Sequence, residues 1–263
     1  MRRFAVGLAV LPFMALAQPC QMGEKPVYLT FDTGHMGVAP LIVDTLKRFN
    51  AQATFFLANE PTLTGGSTLD DHWAPWWKTL AAGGHDFGSH TWDHDIWLED
   101  LPDGSFKVKT VAGLQQPRLQ AMTAARYCDS LKRVANRFTE MTGRTMGPIF
   151  RAPGGKTSKA LVAHAQACGF QHVGWSAAGF LGDELSSERY PNAQLLDRAL
   201  KRIKPGDILM AHLGIWSRQD PWAPAVLAPL MQGLKDRGMC FAALHSHPHY
   251  AAFFAKQAAV KRP

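Results

Sequence analysis

The sequence predicts a single α/β domain built on a parallel sheet. Short apolar runs alternate with stretches of helical spacing along most of the chain, the pattern of strands joined by crossover helices. The length, 263 residues, suits one β/α barrel of ordinary size. Apolar residues make up 46%, enough for a buried core, and charged residues only 19%, which argues against wholesale disorder. The alternation leaves open whether the sheet is open or closed.

Taken in order, residues 27–31 (VYLTF) read as a buried strand, and 38–49 as a helix with Leu41, Ile42, Val43, Leu46 and Phe49 at helical spacing. Residues 53–57 (ATFFL) form the second strand, 70–82 a helix that starts at either Asp70 or Pro75, and 86–89 a short strand. Residues 99–113 look like an insertion with a turn at Pro102-Asp103-Gly104, and 114–142 carry a long helical pattern. Strands at 149–151, 171–175, 207–211 and 240–244 then alternate with helices at 158–168, 193–203 and 223–237. The tail holds His245, His247 and His249 and reads as a solvated end.

The amino terminus has the pattern of an export signal. Arg2 and Arg3 precede an apolar run from Phe4, ending in Ala15-Leu16-Ala17. Cleavage after residue 17 leaves one domain over 18–263, with no stable membrane anchor, in the periplasm or outside the cell. The formal charge of +7 favours anionic partners, yet no basic helix or Lys/Arg run points to nucleic acid, which is excluded as a partner. Cys20, Cys128, Cys168 and Cys240 lie in no CxxC pattern, and an even count in an exported chain suggests disulfides.

Polar residues gather where strands end. Asp32, Thr33 and His35 follow the first strand, His90 and His94 the third, Arg151, Pro153 and Gly155 the next, then Trp175 and finally His212. In β/α barrels the carboxyl ends of strands carry the active site. Histidines four apart share one face if the turn is helical, so both imidazoles can reach one ion. A catalytic zinc ion takes about three protein ligands and keeps a position for water, whose pKa it lowers. A neighbouring carboxylate suits the general base, and a histidine the acid that an amine leaving group requires.

These segments resemble, in order, the five motifs of the NodB-type polysaccharide deacetylases (carbohydrate esterase family 4). Thr30-Phe31-Asp32 is similar to TFDD, His90-Thr91-x-x-His94 to H-[ST]-x-x-H with Gly84-His85 upstream, and Arg151-x-Pro153-x-Gly155 to R-x-P-x-[GY]. Trp175 resembles the tryptophan of the fourth motif and 209–212 the L-x-L-H of the fifth. The likeness spans about residues 26–245. It implies a distorted, incomplete (β/α) barrel, an acetylated glycan as substrate, and one divalent ion, zinc first among candidates. By position it implies Asp32 as base, His212 as acid, Arg151 as the partner that orients Asp32, and His90 and His94 as metal ligands. Trp175, Trp216, Pro153 and Gly155 are the candidate substrate contacts.

Two departures stand out. The family's second aspartate, a metal ligand, is Thr33 here, so the shell is completed by water, by Thr33 Oγ1, or by His35 swinging in from the same loop. Asp32 as ligand would be lost as base. The aspartate that tunes the acid histidine is missing from 175–179, and Asp183 is the nearest downstream carboxylate, in another register. In a barrel the first and last strands adjoin, which favours Cys20–Cys240, with Cys128–Cys168 as the second pair.

Taken singly, the same residues have ordinary uses: Asp32 as a cap or turn residue, Arg151 as an ion-pair arginine, His212 as a core histidine. His85 reads as structural. Trp73, Trp76 and Trp77 are either core packing or a sugar-stacking wall, and Trp216 and Trp222 divide similarly. The expected function is an exported metal-dependent hydrolase that removes acetyl groups from an N- or O-acetylated polysaccharide. The alternatives are a non-catalytic carbohydrate-binding relative and a small-amide hydrolase on the same fold.

Overall fold

The computed structural model describes Cys20, residues 24–111 and residues 117–260; the leader expected over 1–17 lies outside them. The chain begins with β1 (Lys25–Asp32), α1 (Ala39–Arg48), β2 (Thr54–Leu57), α2 (Ala74–Ala82) and β3 (Asp86–Ser89). Next come β4 (Asp95–Asp100), β5 (Phe106–Thr110), β6 (Arg118–Met122), α3 (Ala124–Thr142), β7 (Ile149–Phe150), α4 (Lys159–Ala167) and β8 (Gln171–His172). It ends with α5 (Asn192–Arg202), β9 (Ile208–His212), α6 (Ala228–Asp236), β10 (Met239–Phe241) and α7 (Ala251–Val260).

Seven strands form one parallel sheet in the order β10-β1-β2-β3-β7-β8, with β9 paired to β1. Between β8 and β9 the ring is joined by an irregular segment: Phe180 bridges Met210, and the Met210 amide donates to Gly179 O at 2.8 Å. The sheet is therefore a distorted barrel, as expected. Gly179 is required there, since a Cβ would lie 2.0 Å from Ile208 O.

The period-2 alternation of a strand decides what faces inward. Along β1, Leu29 and Phe31 join the core cluster that contains Phe55, Trp77, Phe87 and Phe138 from the helix side. Tyr28 belongs instead to a second cluster with Phe56, Ile149, Val173 and Ile208. Thr30 and Asp32 share its parity, which brings a carboxylate to the carboxyl end of the barrel interior. Burial of the aromatic row Phe31–Phe55–Phe87–Phe138, with centroids 5.8, 5.7 and 4.4 Å apart, supplies much of the driving force on the helix side.

Several expectations are corrected. Within the helical pattern expected over 114–142, Arg118–Met122 form β6, and α3 starts only at Ala124, capped by the Thr123 hydroxyl accepting from the Arg126 amide. Within the apparent insertion over 99–113, the end of β4 and all of β5 belong, with β6, to a three-stranded antiparallel sheet β4-β5-β6. Cross-strand pairing with the preceding strand overrides the helical spacing here. The tail is solvated only in part: His245 and His249 are exposed, but the segment is anchored to the barrel. His245 Nδ1 pairs with Asp86 at 3.0 Å, the Tyr250 hydroxyl donates to His172 O, and Phe253 and Phe254 pack under the barrel. The tail thus covers the amino-terminal mouth, opposite Asp32. No helix among the described residues is long and apolar enough to cross a membrane.

Both favoured disulfides are present. Cys20–Cys240 ties the chain start to β10, with Cα atoms 5.6 Å apart, and Cys128–Cys168 ties α3 to the end of α4 at 6.1 Å.

Candidate active site

Parallel register sets the first pair of groups. β1 and β9 align Asp32 with His212, so a carboxylate and an imidazole end adjacent strands at one level. Asp32 is 4% exposed, and its Oδ1 accepts from Arg151 Nη1 at 2.8 Å. Arg151 is fully buried, with Nε and Nη2 donating to Val173 O and Gly174 O, and its guanidinium lies over the Phe56 ring at 4.3 Å. A buried charge persists only when paired and hydrogen-bonded, and both conditions hold. Burial works against ionisation of Asp32, but Arg151 above all, with His90 and His212 beside it, prevails and holds its carboxyl below the usual range.

His212 has its own carboxylate. Asp183 accepts from the His212 backbone amide at 2.7 Å and lies 3.1 Å from Nδ1. This fixes Nδ1 as the protonated nitrogen on that side and turns Nε2 away from Asp183. Burial opposes the charged ring, yet Asp183 outweighs it and raises His212 to about 9. The tuning carboxylate absent from 175–179 is thus supplied by Asp183. The segment carrying Gly179 and Phe180 runs beside β9, and its continuation reaches the level of His212.

The two remaining histidines do not sit on a helical turn, in contrast to what their spacing suggests. Residues 90–94 are a loop in which Thr91 and His94 take φ of 60° and 51°. Such backbone is costly for non-glycine residues and is held by its surroundings. Thr91 Oγ1 accepts from the Asp95 amide, and the buried Asp95 carboxylate accepts from Thr110 and Ser130. The outcome still brings the rings together, with centroids 4.9 Å apart at 74°. His90 Nδ1 lies 2.9 Å from Arg151 O. A carbonyl only accepts, so Nδ1 carries the proton and Nε2, 3.6 Å from Asp32 Oδ2, carries the lone pair. Burial, with His94 adding to it, pushes His90 down to about 4, so the ring is neutral near pH 7. His94 Nδ1 is buried without a hydrogen-bond partner.

The other candidates are placed as follows. Thr33 is buried, its hydroxyl donating to Glu60 Oε2 at 2.5 Å and accepting from the Ala58 amide. His35 Nδ1 accepts from the Gly37 amide, and its ring meets Trp216 edge-on at 4.9 Å. Its contacts are therefore on the His212 side, in a cleft with Asp183, Gly214 and Trp222. Trp216 is 63% exposed beside that cleft. Trp175 lies over Gly155, whose φ of +65° and missing Cβ make room; an added Cβ would meet the indole at 2.4 Å. Pro153, buried, opens the short 3-10 turn that carries Gly155. Trp77 is fully buried, donating to Thr68 O, with Trp73 and Trp76 packed on the same core; these three are packing rather than a wall.

Glu60, three positions past the end of β2, is not singled out by the sequence pattern. It accepts from the Gly34 amide at 2.7 Å as well as from Thr33. Burial works against its charge, but His94, Thr33 and His90 outweigh it and hold the carboxyl below the usual range. The rule that picks out the ends of the other strands also covers Asn59-Glu60.

The chain is 27% identical over 190 residues to peptidoglycan-N-acetylmuramic acid deacetylase PdaA of Bacillus subtilis, covering 72% of this chain and 60% of that protein. It is 24% identical to a peptidoglycan-N-acetylglucosamine deacetylase of Bacillus cereus, covering 83% of this chain and 85% of that one. In fold it is similar to the crystal structure of a CE4-family pseudoenzyme from Bacillus anthracis, with a TM-score of 0.61, 19% identity, and 86% and 66% of the two chains covered. The family model described as polysaccharide deacetylase matches residues 20–173, a stretch that contains Asp32, His90, His94 and Arg151. That match takes in more than half of the chain, and the protein belongs to the polysaccharide deacetylase family.

Proposed function

We propose that the protein is an exported, metal-dependent hydrolase that removes acetyl groups from an acetylated cell-wall glycan. The observation that carries this reading is the pair of oppositely tuned groups at one level of the barrel, Asp32 held ionised by Arg151 and His212 held protonated by Asp183. A base and an acid that coexist near neutral pH on adjacent strands suit hydrolysis of an amide or ester. The relatives named as peptidoglycan deacetylases support a cell-wall polymer as substrate.

His90 and His94 fit a divalent ion. One ring is neutral, with its Nε2 lone pair free of a hydrogen-bond donor, and the other has a buried, unpartnered nitrogen. Imidazole nitrogens beside carboxylates suit zinc. When bound there, the ion would lower the pKa of the attacking water and polarise the acyl carbonyl. Asp32 takes the proton from that water as its oxygen attacks the acyl carbon. Arg151 holds Asp32 in position for this step. His212 then gives the proton on Nε2 to the departing amine or alkoxide, the C–N or C–O bond breaks, and acetate and a free amine or hydroxyl remain. Trp216, exposed beside the cleft, offers an aromatic face to a sugar ring, while Trp175 packs on Gly155 and faces the Arg151 guanidinium.

Acetate release from a panel of N-acetylated peptidoglycan, chitin oligomers and O-acetylated xylan tests this reading. One or more of them should yield acetate in proportion to new amine or hydroxyl groups. Binding of glycan without acetate at any metal loading would favour the carbohydrate-binding alternative instead.

A further inference from the structure

We propose that Glu60 is the carboxylate ligand of the His90–His94 metal site, taking the role that Thr33 cannot fill; this rests on the metal-dependent reading above. Two neutral imidazoles hold a divalent ion weakly, and a neutral hydroxyl at position 33 adds no charge. A carboxylate must therefore come from elsewhere in the cleft, or the ion is poorly held.

The other nearby carboxylates are placed for other partners. Asp93 faces Asp95 and the Arg133, Arg118 and Arg126 side chains. Asp32 gives Oδ1 to Arg151 and keeps Oδ2, 3.6 Å from His90 Nε2, for its proposed role as base. Asp95 is tied to Thr110 and Ser130, and Asp183 to His212. His35, the nitrogen alternative, is engaged by Gly37 and Trp216 on the His212 side. Glu60 remains. Both of its side-chain hydrogen bonds, from Thr33 and Gly34, fall on Oε2. Its Oε1 accepts no hydrogen bond among the described residues. The titratable side chains that act on it are those of His94 and His90, the same two rings, and one of those rings has a buried nitrogen with no partner.

The geometry also accounts for Thr33. A glutamate one strand over, on the loop after β2, reaches the level of Thr33 with its longer side chain. Threonine there donates to the carboxylate and fixes it, where a second aspartate would repel it. The position has thus changed from ligand to holder of the ligand, an outer-shell role of the kind that orients metal-bound groups. Holding an ion there would require the donor atoms of His90, His94 and Glu60 to draw closer together. Among the described residues, the only group of three or more potential ligands with donor atoms within 4.8 Å of one another is Cys20, Glu24 and Cys240, whose cysteines are joined in a disulfide.

The test is zinc affinity of the full chain, measured by competition with a chromogenic chelator after removal of metal, with circular dichroism as the folding control. Glu60→Gln keeps an acceptor for Thr33 and Gly34 but loses the charge. It should weaken zinc by more than about 100-fold, beyond the 10–100-fold usual for outer-shell partners. Adding Thr33→Asp to Glu60→Gln should restore affinity to within about tenfold of wild type, because the carboxylate returns one strand away. The cobalt-substituted wild type and Glu60→Gln should also differ in their visible spectra, since a ligand is lost. Wild-type affinity in folded Glu60→Gln would overturn the assignment while leaving the metal reading intact. A wild-type chain that binds no divalent ion would overturn both.

Discussion

Replacing Asp183 with asparagine isolates the electrostatic tuning of the proposed acid. The substitution Asp183→Asn keeps the size of the side chain and an oxygen for the His212 amide, but removes the charge facing Nδ1. With Asp183, His212 lies at about 9 against an ordinary 6.5. At 1.36 kcal/mol per unit, that is on the order of 3 kcal/mol favouring the protonated ring. Without it, burial is the largest remaining influence and pushes His212 to or below 6.5. At pH 8 the protonated fraction then falls from about nine-tenths to about 3%, so acetate release should drop roughly thirtyfold. Activity should recover as the pH is lowered through 6 and the ring takes up its proton. The raised pKa also adds stability that is complete below about pH 6.5 and is lost as pH rises through about 9; the variant should lack this dependence. An NMR titration of the His212 ring reads the shift without substrate. A ring that titrates at the same pH in wild type and variant would refute the reasoning.

Other expectations follow from the same contacts. Arg151→Met leaves the Asp32 carboxylate buried without its partner, which should cost about 3–5 kcal/mol in urea unfolding and raise the pKa of Asp32. Gly155→Ala places a Cβ against the Trp175 indole at a positive φ, so it should lower Tm and weaken glycan binding, as differential scanning and KM would show. Cys128→Ser with Cys168→Ser, which opens a 40-residue separation, should destabilise the chain by about 2–4 kcal/mol. Thiol titration of the unreduced, unfolded protein should find no free thiol among the four cysteines.

The parts of the site that lie at strand ends are legible in the sequence. Asp32, His90, His94, Arg151 and His212 each follow a short apolar run, and the parallel register then brings Asp32 level with His212. Asp183 is visible only as a carboxylate in an unexpected register. What places it is Gly179, whose missing Cβ lets that segment run against β9. Glu60 escapes notice because it belongs to no motif, although Asn59-Glu60 breaks the apolar run of β2 as sharply as Asp32-Thr33 breaks the first. The spacing of His90 and His94 suggests a helical turn, since nothing local reveals that Thr91 and His94 take positive φ. The β4-β5-β6 sheet is hidden because the helical spacing over 114–142 runs through β6, whose pairing with β5 that spacing does not register. Pro117, just before β6, is the available signal against a helix running through it.

The central claim is hydrolysis by the Asp32–His212 pair at a metal-dependent site. Acetate release by zinc-loaded wild type and by zinc-loaded Asp32→Asn, on the best acetylated glycan of the panel, tests it most directly. The account predicts turnover by the wild type and a loss of at least about 100-fold in the variant, with zinc content and glycan binding unchanged. Equal rates of acetate release from the two proteins would contradict it.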